Sequence, residues 1–302
     1  MGPSKRNILI TGSSTGGMGA ALAVAFHHAG HRVFATARTP SKMSDLAAQG
    51  IETVILDVTS ASSIASAVST VSSSLPDGEG LDMLINNAAG SYSMPLTDVS
   101  LAAAKATFDL NVWSQLAVIQ AFLPLLLQQQ QFAASRTGPR PLVVNHTSVG
   151  SVGAIPFQGV YNASKAALAM ISDTLRFELA PFGLGVVELK TAGVRTNIIA
   201  NSNANAAGER LPDGSLYAPA RDVVERALAQ EGLVHIGISA EQWATEVSAL
   251  LLRSHPPAVI WKGEKASLAR LASILPRGWM DGFIMKMTKL DVVTEIIKES
   301  RK

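Results

Sequence analysis

"ITGSSTGGMGA", residues 10–20, places four glycines between an aliphatic run and a pattern of helical period. A loop of this kind predicts a strand, a tight turn and a helix whose N-terminus can bind a phosphate group. Gly12 to Gly16 also spell G-x-S-x-G, the pattern of a nucleophile elbow in which Ser14 would attack an ester. The stretch by itself therefore leaves two enzyme classes open.

The composition indicates a chain with a large buried core. Of 302 residues, 47% are hydrophobic and 16% are charged, which excludes global disorder. A net charge of +2 without a basic stripe gives no reason to expect nucleic acid as a partner. Because cysteine is absent, disulfides, thiolate metal sites and thiol catalysis are excluded, and we expect no metal and a cytoplasmic location.

The uncharged stretch 110–135 raises the question of a membrane span. It contains Pro124 and four consecutive glutamines from Gln128, which make it too polar to cross a bilayer. The residues before the first aliphatic run leave no room for a signal peptide. We therefore expect a buried helix and no transmembrane segment.

Short aliphatic runs alternate with helical patterns along the chain. Seven runs predict strands, at 7–11, 32–37, 53–57, 83–86, 141–147, 185–191 and 258–262. Helical periods lie between them, at 18–29, 41–49, 60–75, 101–128, 157–182 and 240–254. Such alternation gives parallel strands with right-handed crossovers. The sequence thus predicts a Rossmann-type α/β fold, a doubly wound parallel seven-stranded sheet with helices on both faces.

We predict a single domain over 1–302 with two additions to a cofactor-binding and catalytic core at 1–196. Residues 197–239, rich in Asn, Ala, Gly and Pro, predict a substrate flap, and 240–263 the last helix and strand. Residues 264–302 predict a C-terminal extension of two amphipathic helices, with apolar faces at Leu268, Leu271, Leu275, Phe283, Met287 and Leu290. Packing of these faces on the domain is favoured, and peripheral contact with an intracellular membrane or lipid droplet is the alternative.

The position of the glycine loop favours the phosphate interpretation. In hydrolases with a nucleophile elbow, the serine follows a central strand, and an acid and a histidine come later in the chain. Here the loop follows the first strand, and no acid–histidine pair stands out. Among its glycines, we expect Gly17 to allow the close approach of backbone to a pyrophosphate.

The end of the second predicted strand indicates which dinucleotide binds. NAD-binding folds place an acid there for the ribose 2′-hydroxyl, whereas this chain has Arg38 and no acid before Asp45. A guanidinium suits a 2′-phosphate, so we predict NADP(H), with an ordinary surface arginine as the alternative. Asp57, after the third strand, is expected beside the adenine or at the N-cap of the next helix.

A tyrosine and a lysine four residues apart carry the strongest chemical signal. Tyr161 and Lys165 share one helix face, so the ammonium can lie near the phenol. A neighbouring cation lowers a phenol pKa from about 10, which would make Tyr161 an acid–base group near neutral pH. Ser148 lies thirteen residues before Tyr161, at the carboxyl end of the fifth strand, where open α/β sheets bind ligands.

These motifs resemble those of the short-chain dehydrogenase/reductase family over residues 7–196. "TGSSTGGMG" is similar to the family's cofactor loop with one extra residue, and "NNAAG" at 86–90 to its N-N-A-G turn. Asn111 in "FDLNVW" corresponds to the asparagine of the catalytic tetrad, while Ala192-Gly193 replaces the usual Pro-Gly. "LPDGSLYAP" and "PPAVIWKG" are similar to the branch of NADPH-dependent 1-acyldihydroxyacetone-phosphate reductases and related fungal reductases.

The resemblance implies roles for the tetrad and for a set of cofactor contacts. Tyr161 would protonate the carbonyl oxygen as hydride arrives from the nicotinamide, and Ser148 would hold that oxygen. Lys165 would bind the nicotinamide ribose, and Asn111 would anchor a water of the proton relay. The implied cofactor contacts are Gly12, Ser14, Thr15, Gly17, Met18, Arg38, Asp57, Val58, Asn87, Ala88, Tyr161, Lys165, Val194 and Thr196.

We therefore predict an NADPH-dependent reductase of a hydrophobic ketone, either lipid-like or a secondary metabolite. A lipid ester hydrolase using Ser14 and a non-catalytic NADPH-binding regulator are the alternatives. Helix 101–128 is apolar on most of its circumference, which predicts a homodimer or homotetramer unless the C-terminal extension covers its second face.

Overall fold

Seven parallel strands form the central sheet of the computed structural model, which describes residues 5–134, 139–197, 210–231, 236–276 and 278–302. The strands of this sheet are β1 Asn7–Ile10, β2 Arg32–Ala37, β3 Glu52–Ile55, β4 Met83–Asn86, β5 Leu142–Ser148, β6 Gly185–Thr191 and β9 Val259–Lys262. Two further short strands are β7 Val194–Arg195 and β8 Ile238–Ser239. In the sheet the seven strands follow the order β3-β2-β1-β4-β5-β6-β9, while β7 and β8 form a separate pair. The order reverses between β1 and β4, as in doubly wound folds, which confirms the predicted fold class.

Helices connect the strands on both faces of the sheet. They are α1 Met18–His28, α2 Ser44–Ala48, α3 Ala61–Ser74, α4 Leu101–Phe108, α5 Ser114–Ala134, α6 Gly159–Glu178, α7 Arg221–Leu228, α8 Ala240–Leu251, α9 Ala266–Ala272, α10 Asp281–Met287 and α11 Leu290–Glu299. The predicted helix 41–49 starts as a 3₁₀ turn, Pro40–Met43. The predicted helix 157–182 begins only at Gly159, because Phe157 has a left-handed φ of 66° that no α-helix accommodates.

Alternate residues of each strand contribute to two hydrophobic layers. Ile8 and Ile10 of β1 face one layer, which contains Phe26 of α1 and Trp243 of α8. Leu9 faces the opposite layer, formed largely by α3 and α5. This alternation follows from the period of two in a strand, and it fixes the carboxyl ends of the strands between two rigid helical layers.

The uncharged stretch forms a core helix, as expected. Among the described residues, Leu101–Phe132 is long and apolar enough to span a membrane, but half of its most apolar window is buried inside the protein. Phe122 of α5 is fully buried against the sheet. The amide of Gln129 ties α5 to the loop before β4, since its Oε1 accepts from Gly80 N at 2.8 Å and its Nε2 donates to Asp82 Oδ1 at 2.8 Å.

The C-terminal extension contains three helices rather than the predicted two. Val293 of α11 is buried and packs with residues of α7, including Val224. Leu290, which the sequence predicted to pack on the domain, also packs against this cluster. By contrast, Leu268 and Leu271 of α9 and Phe283 and Met287 of α10 are exposed, so the expected packing was wrong for these four residues. Helices α9 and α10 have only seven residues each, too few to present a long face to the core.

Part of the predicted flap can be described. Residues 210–231 carry α7 and a 3₁₀ turn, Ala218–Ala220, and β8 follows. Leu211, Val224 and Leu228 pack with Phe157 at the start of α6. Residues 198–209 and 232–235 of the predicted flap lie outside the described residues.

We expect Phe122→Ala to lower the free energy of unfolding by about 3–5 kcal/mol, because it leaves a cavity between α5 and the sheet. Gln120→Ala, at an exposed position of the same helix, should change it by less than about 0.5 kcal/mol. Chemical denaturation monitored by circular dichroism measures both. Equal effects of the two substitutions would contradict the placement of α5 in the core.

Candidate active site

The glycine loop joins β1 to α1 at the carboxyl edge of the sheet. Gly12 and Gly16 have φ values of 71° and 78°, a left-handed conformation that favours glycine. Gly17 is the N-cap of α1 and has no side chain to cap it, so the first-turn N–H groups of α1 remain suited to an anion. The geometry fits the predicted phosphate cradle.

The close backbone packing in this loop falls on Gly12 and Gly19. A Cβ at Gly12 would lie 2.7 Å from Ala88 Cα, and one at Gly19 would lie 2.5 Å from both Gly12 O and Asn87 Nδ2. A Cβ at Gly17 would meet only Ser14 O, at 3.1 Å. The sequence spacing predicted that Gly17 allows the close approach of the backbone to a pyrophosphate. Within the protein itself, the glycines of this loop at which a Cβ would clash with backbone atoms are Gly12 and Gly19.

Asn87, directly after β4, is hydrogen-bonded to the start of the glycine loop. Its Nδ2 donates to the carbonyls of Thr11 at 2.9 Å and Gly12 at 3.0 Å, and its backbone N–H donates to Thr11 Oγ1 at 2.9 Å. Ala88 N also donates to Thr11 Oγ1, at 3.0 Å. The two predicted contact residues of the N-N-A-A-G turn are therefore brought against the glycine loop.

His146, which was not predicted from the sequence as a site residue, is hydrogen-bonded to the side-chain oxygen of Asn87. Its Nδ1 lies 3.0 Å from Asn87 Oδ1, and its Nε2 lies 2.6 Å from Thr191 Oγ1. Since Asn87 Oδ1 can only accept, Nδ1 carries the proton and Nε2 accepts from Thr191. Burial, and secondly the charge of Lys165, lowers the pKa of His146 to about 3, so the imidazole is neutral.

The predicted 2′-phosphate region contains two exposed cations. Arg38 follows β2 and is exposed, as is Lys42 on the 3₁₀ turn after it. The backbone carbonyl of Lys42 accepts from Thr15 N at 2.8 Å and Thr15 Oγ1 at 2.9 Å. This contact places a second basic residue, not foreseen from the sequence, directly beside the glycine loop.

Asp57 lies after β3 and is half-buried, with Val58 buried next to it. Its Oδ1 accepts from Thr59 N at 3.0 Å and Thr59 Oγ1 at 2.7 Å, and these bonds, helped by the charge of Arg38, lower the pKa of Asp57. Ser60 is the N-cap of α3 and accepts from Ser63 N. The alternative in which Asp57 caps this helix is therefore excluded.

Ser148, Tyr161 and Lys165 meet where β5 ends against α6. Lys165 is buried, and its Nζ donates to His146 O at 2.9 Å and lies 5.9 Å from the centre of the Tyr161 ring. Ser148 Oγ accepts from Gly150 N at 3.1 Å, and the same hydroxyl is hydrogen-bonded with Tyr161. The three residues expected to act together are thus brought together by the fold.

The titration of these groups differs from the sequence expectation. Burial raises the pKa of the Tyr161 phenol, and a hydrogen bond with Ser148 lowers it only in part. Burial lowers the pKa of Lys165 to about 8. The prediction that Lys165 lowers the Tyr161 pKa is wrong, because the ammonium is directed to the His146 carbonyl and burial of the phenol raises its pKa.

Asn111 occupies a widened turn between α4 and α5. Residues Asp109–Trp113 form a π-helical turn, a feature common at functional sites. The Asn111 amide exchanges two hydrogen bonds of 2.9 Å with the backbone of Gly90 and donates to Ser164 Oγ at 3.0 Å. Its side chain therefore joins the N-N-A-A-G turn to the helix of Tyr161, and does not contact Lys165.

Val194 and Thr196 lie in the segment that follows β6. Val194 belongs to β7, which pairs with β8. Asn197, one residue beyond the predicted contacts, donates from its backbone N to Gly16 O at 3.3 Å, and its Nδ2 stands where a Cβ on Gly16 would lie. This segment is thus hydrogen-bonded to the glycine loop through Asn197.

Ser14 lacks the partners that a nucleophile requires. A serine nucleophile needs a base within hydrogen-bonding distance, and none of the five histidines in the described ranges is bonded to Ser14 Oγ. The buried His146 is bonded to Asn87 and Thr191 instead. The geometry gives no support to the hydrolase alternative.

The sequence does hold a signal for the residues that were missed. Strands buried on both faces of a parallel sheet are nearly continuous in apolar residues. Polar side chains interrupt β5 at Asn145, His146 and Thr147, and β6 at Glu188 and Lys190, and all five are buried. Polar residues at buried strand positions mark the network around Ser148 and Lys165.

Comparison with known proteins identifies the family of the chain. The family described as short chain dehydrogenase matches residues 6–207. A short-chain dehydrogenase/reductase of Pestalotiopsis microspora is 48% identical over 295 residues, which cover 98% of each chain. The NADPH-dependent 1-acyldihydroxyacetone phosphate reductase of Schizosaccharomyces pombe is 34% identical over 283 residues, 90% of each chain.

Solved structures share the whole architecture. A short-chain dehydrogenase from Streptomyces avermitilis has a TM-score of 0.70 and 26% identity, covering 96% of this chain and 98% of its own. A short chain dehydrogenase from Burkholderia cenocepacia, solved in complex with NADP, has a TM-score of 0.69 at 21% identity, covering 94% of this chain and 99% of its own, and shows the fold alone. The chain belongs to the short-chain dehydrogenase/reductase family of oxidoreductases.

Proposed function

We propose that the chain is an NADPH-dependent reductase that converts the carbonyl of a hydrophobic ketone to an alcohol. The observation that carries this proposal is the meeting of Ser148, Tyr161 and Lys165 at the carboxyl edge of the sheet, beside the glycine loop. A non-catalytic NADPH-binding regulator would have no need of this set. Ser148 ends β5, whereas Tyr161 and Lys165 lie on α6, so the strand must end against this helix for the three to meet.

Arg38 and Lys42 support NADPH rather than NADH. Both are exposed beside the glycine loop, and phosphate is bound strongly by paired charged hydrogen bonds from arginine. One relative is named as NADPH-dependent, and one structural neighbour was solved with NADP. In the proposal, Gly12, Ser14, Thr15, Gly17 and Met18 bind the pyrophosphate, and Asp57, Val58, Asn87 and Ala88 line the adenosine side.

The chemistry divides between the cofactor and the chain. Bound NADPH would supply the hydride that reaches the carbonyl carbon. Tyr161 donates its proton to the carbonyl oxygen, and Ser148 donates a hydrogen bond to that oxygen. Lys165 is mostly protonated at neutral pH, because its pKa is about 8, and it holds the ribose and returns a proton to Tyr161. Val194 and Thr196 hold the carboxamide.

Apolar residues near α6 support a hydrophobic substrate. Phe157, four residues before Tyr161, meets Tyr217 edge-on with ring centres 5.6 Å apart. Tyr92 and Met94 belong to the same cluster. The related reductase of Schizosaccharomyces pombe is named for an acylated ketone phosphate, and we infer a lipid-like or polyketide-like ketone for this chain, acting in the cytoplasm.

Tyr161→Phe should reduce kcat with NADPH and a reactive ketone by on the order of a hundredfold or more, because the proton donor is lost. NADPH binding, measured by fluorescence titration, should stay within a few-fold of the wild type. Tyr92→Phe is the matched control, because it removes a hydroxyl that accepts from Ser100 N at 3.2 Å and keeps the ring that belongs to the apolar cluster, and it should retain activity. Turnover by Tyr161→Phe near the wild-type rate would refute the assignment.

Arg38→Asp should reverse or flatten the preference for NADPH over NADH. A charged contact to phosphate contributes roughly 1.5–3 kcal/mol, or about ten- to a hundredfold in kcat/KM. Arg253→Asp, at an exposed position after α8, controls for the change in net charge. Equal kcat/KM for the two cofactors in the wild-type enzyme would argue against the proposal.

We propose a homodimer formed across α6. Met170 and Phe177, seven residues apart on this helix, are each 67% exposed, and Trp113 and Phe182 add exposed apolar surface. Such surfaces mark interfaces. The sequence predicted this interface on helix 101–128, where the exposed large apolar side chains are Leu101 and Trp113. The C-terminal helix α11 packs with α7, so the alternative in which the extension covers the face of helix 101–128 is not favoured.

Light scattering at micromolar concentration should show a dimer or tetramer for the wild type. Phe177→Asp places a charge in the proposed interface and should give a smaller species. Asp substitution of Phe283, an exposed residue of α10, should leave the mass unchanged. A monomeric wild type would contradict the proposal.

A further inference from the structure

A buried pair of opposite charges lies in β6, directly below the loop that carries Ser148. Glu188 and Lys190 are 3% and 7% exposed. They form an ion pair between Lys190 Nζ and Glu188 Oε1. Burying two charges is costly, and neither residue takes part in the mechanism proposed above.

Each member of the pair has a further partner. Thr147 Oγ1, on the neighbouring strand β5, donates to Glu188 Oε1 at 2.7 Å. Lys190 Nζ donates to Ser151 Oγ at 3.1 Å and lies 5.5 Å from the centre of the Trp261 ring on β9. The pair thus joins three strands, and among the hydrogen bonds of the described residues its one partner outside the sheet is Ser151.

Ser151 ends the turn that begins at Ser148. The 3₁₀ turn Val149–Ser151 has Ser148 as its N-cap, with Ser148 Oγ accepting from Gly150 N. One end of the turn is therefore held by the hydroxyl that contacts Tyr161, and the other end by Lys190. A displacement of Ser151 would shift Ser148 Oγ and the hydrogen bond that it accepts from Gly150 N, because only two residues separate Ser148 from Ser151.

The charges of the pair argue against a ligand site. Glu188 neutralises Lys190, so the ammonium offers no net field to an anionic substrate group, and its protons point to Glu188 and Ser151. We propose that Lys190, oriented by Glu188, is a positioning residue that holds the Val149–Ser151 turn and thereby directs the Ser148 hydroxyl at Tyr161. This inference rests on the proposed reductase function.

Stability and positioning can be separated by two kinds of substitution. Ser151→Ala removes the contact between the pair and the turn and leaves the pair intact. Glu188→Leu with Lys190→Met replaces both charges by apolar groups, which commonly preserves stability, whereas removing one charge alone does not. Lys262→Met breaks the half-exposed pair between Lys262 and Glu246 and serves as the control.

We expect kcat for ketone reduction to fall three- to tenfold in Ser151→Ala and at least tenfold in the paired variant. The melting temperature and the NADPH dissociation constant should stay near wild-type values in both. In a Ser148→Ala background, Ser151→Ala should cause no further loss, because it acts only through Ser148. Lys262→Met should keep the wild-type kcat.

A readout without turnover distinguishes this inference from the proposed function. Ser148 lowers the pKa of Tyr161, so Ser151→Ala should raise that pKa in absorbance titrations, isolated by subtracting the same curve for Tyr161→Phe. A wild type that reduces no ketone would refute the proposed function while leaving this test in place. Unchanged kcat and an unchanged phenol titration in Ser151→Ala would overturn the inference, as would an additive loss in the Ser148→Ala background.

Discussion

The side chain of Asn87 holds together the two halves of the sheet where the strand order reverses. Its amide nitrogen bonds the carbonyls that end β1, and its oxygen bonds His146 on β5. The crevice at such a reversal is where doubly wound folds bind ligands, since the chain departs to opposite faces on either side. The Asn87 amide is thus bonded to the glycine loop, and through His146 it is linked to Thr191 and to the backbone carbonyl that accepts from Lys165.

The same network explains how an ammonium can be buried beside Tyr161. Burial lowers the pKa of Lys165 to about 8, so the folded protein holds a charge that water would solvate better. The folded pKa of Lys165 lies below its unfolded value of 10.5. Lys165 therefore lowers the free energy of unfolding at pH values below about 8, and this destabilisation disappears as the pH rises from about 8 to 10.5. The protein accepts this cost beside Tyr161, where the proposed reaction takes place.

Rigid support distinguishes the described site from the surface around it. Asn111 ties the N-N-A-A-G turn to α6 through Gly90 and Ser164, and the ion pair of β6 ties the turn after Ser148 to the sheet. By contrast, α9 and α10 expose apolar side chains without burying a face. In the core, Lys165 and Asn111 are held by hydrogen bonds to backbone groups, while in the extension α11 packs with α7.

The sequence by itself determined the fold class, the seven strands, the family and the convergence of Ser148, Tyr161 and Lys165, because strand periodicity and motif spacing are local properties of the chain. Only the tertiary structure decided which glycines pack most closely, that Ser60 caps α3 in place of Asp57, and that the extension has three helices. It also decided the direction of the Tyr161 pKa. These properties depend on burial and on contacts such as Lys165 with His146, between residues that are far apart in sequence or whose orientation spacing cannot give, and solvation at one site is set by every element packed around it.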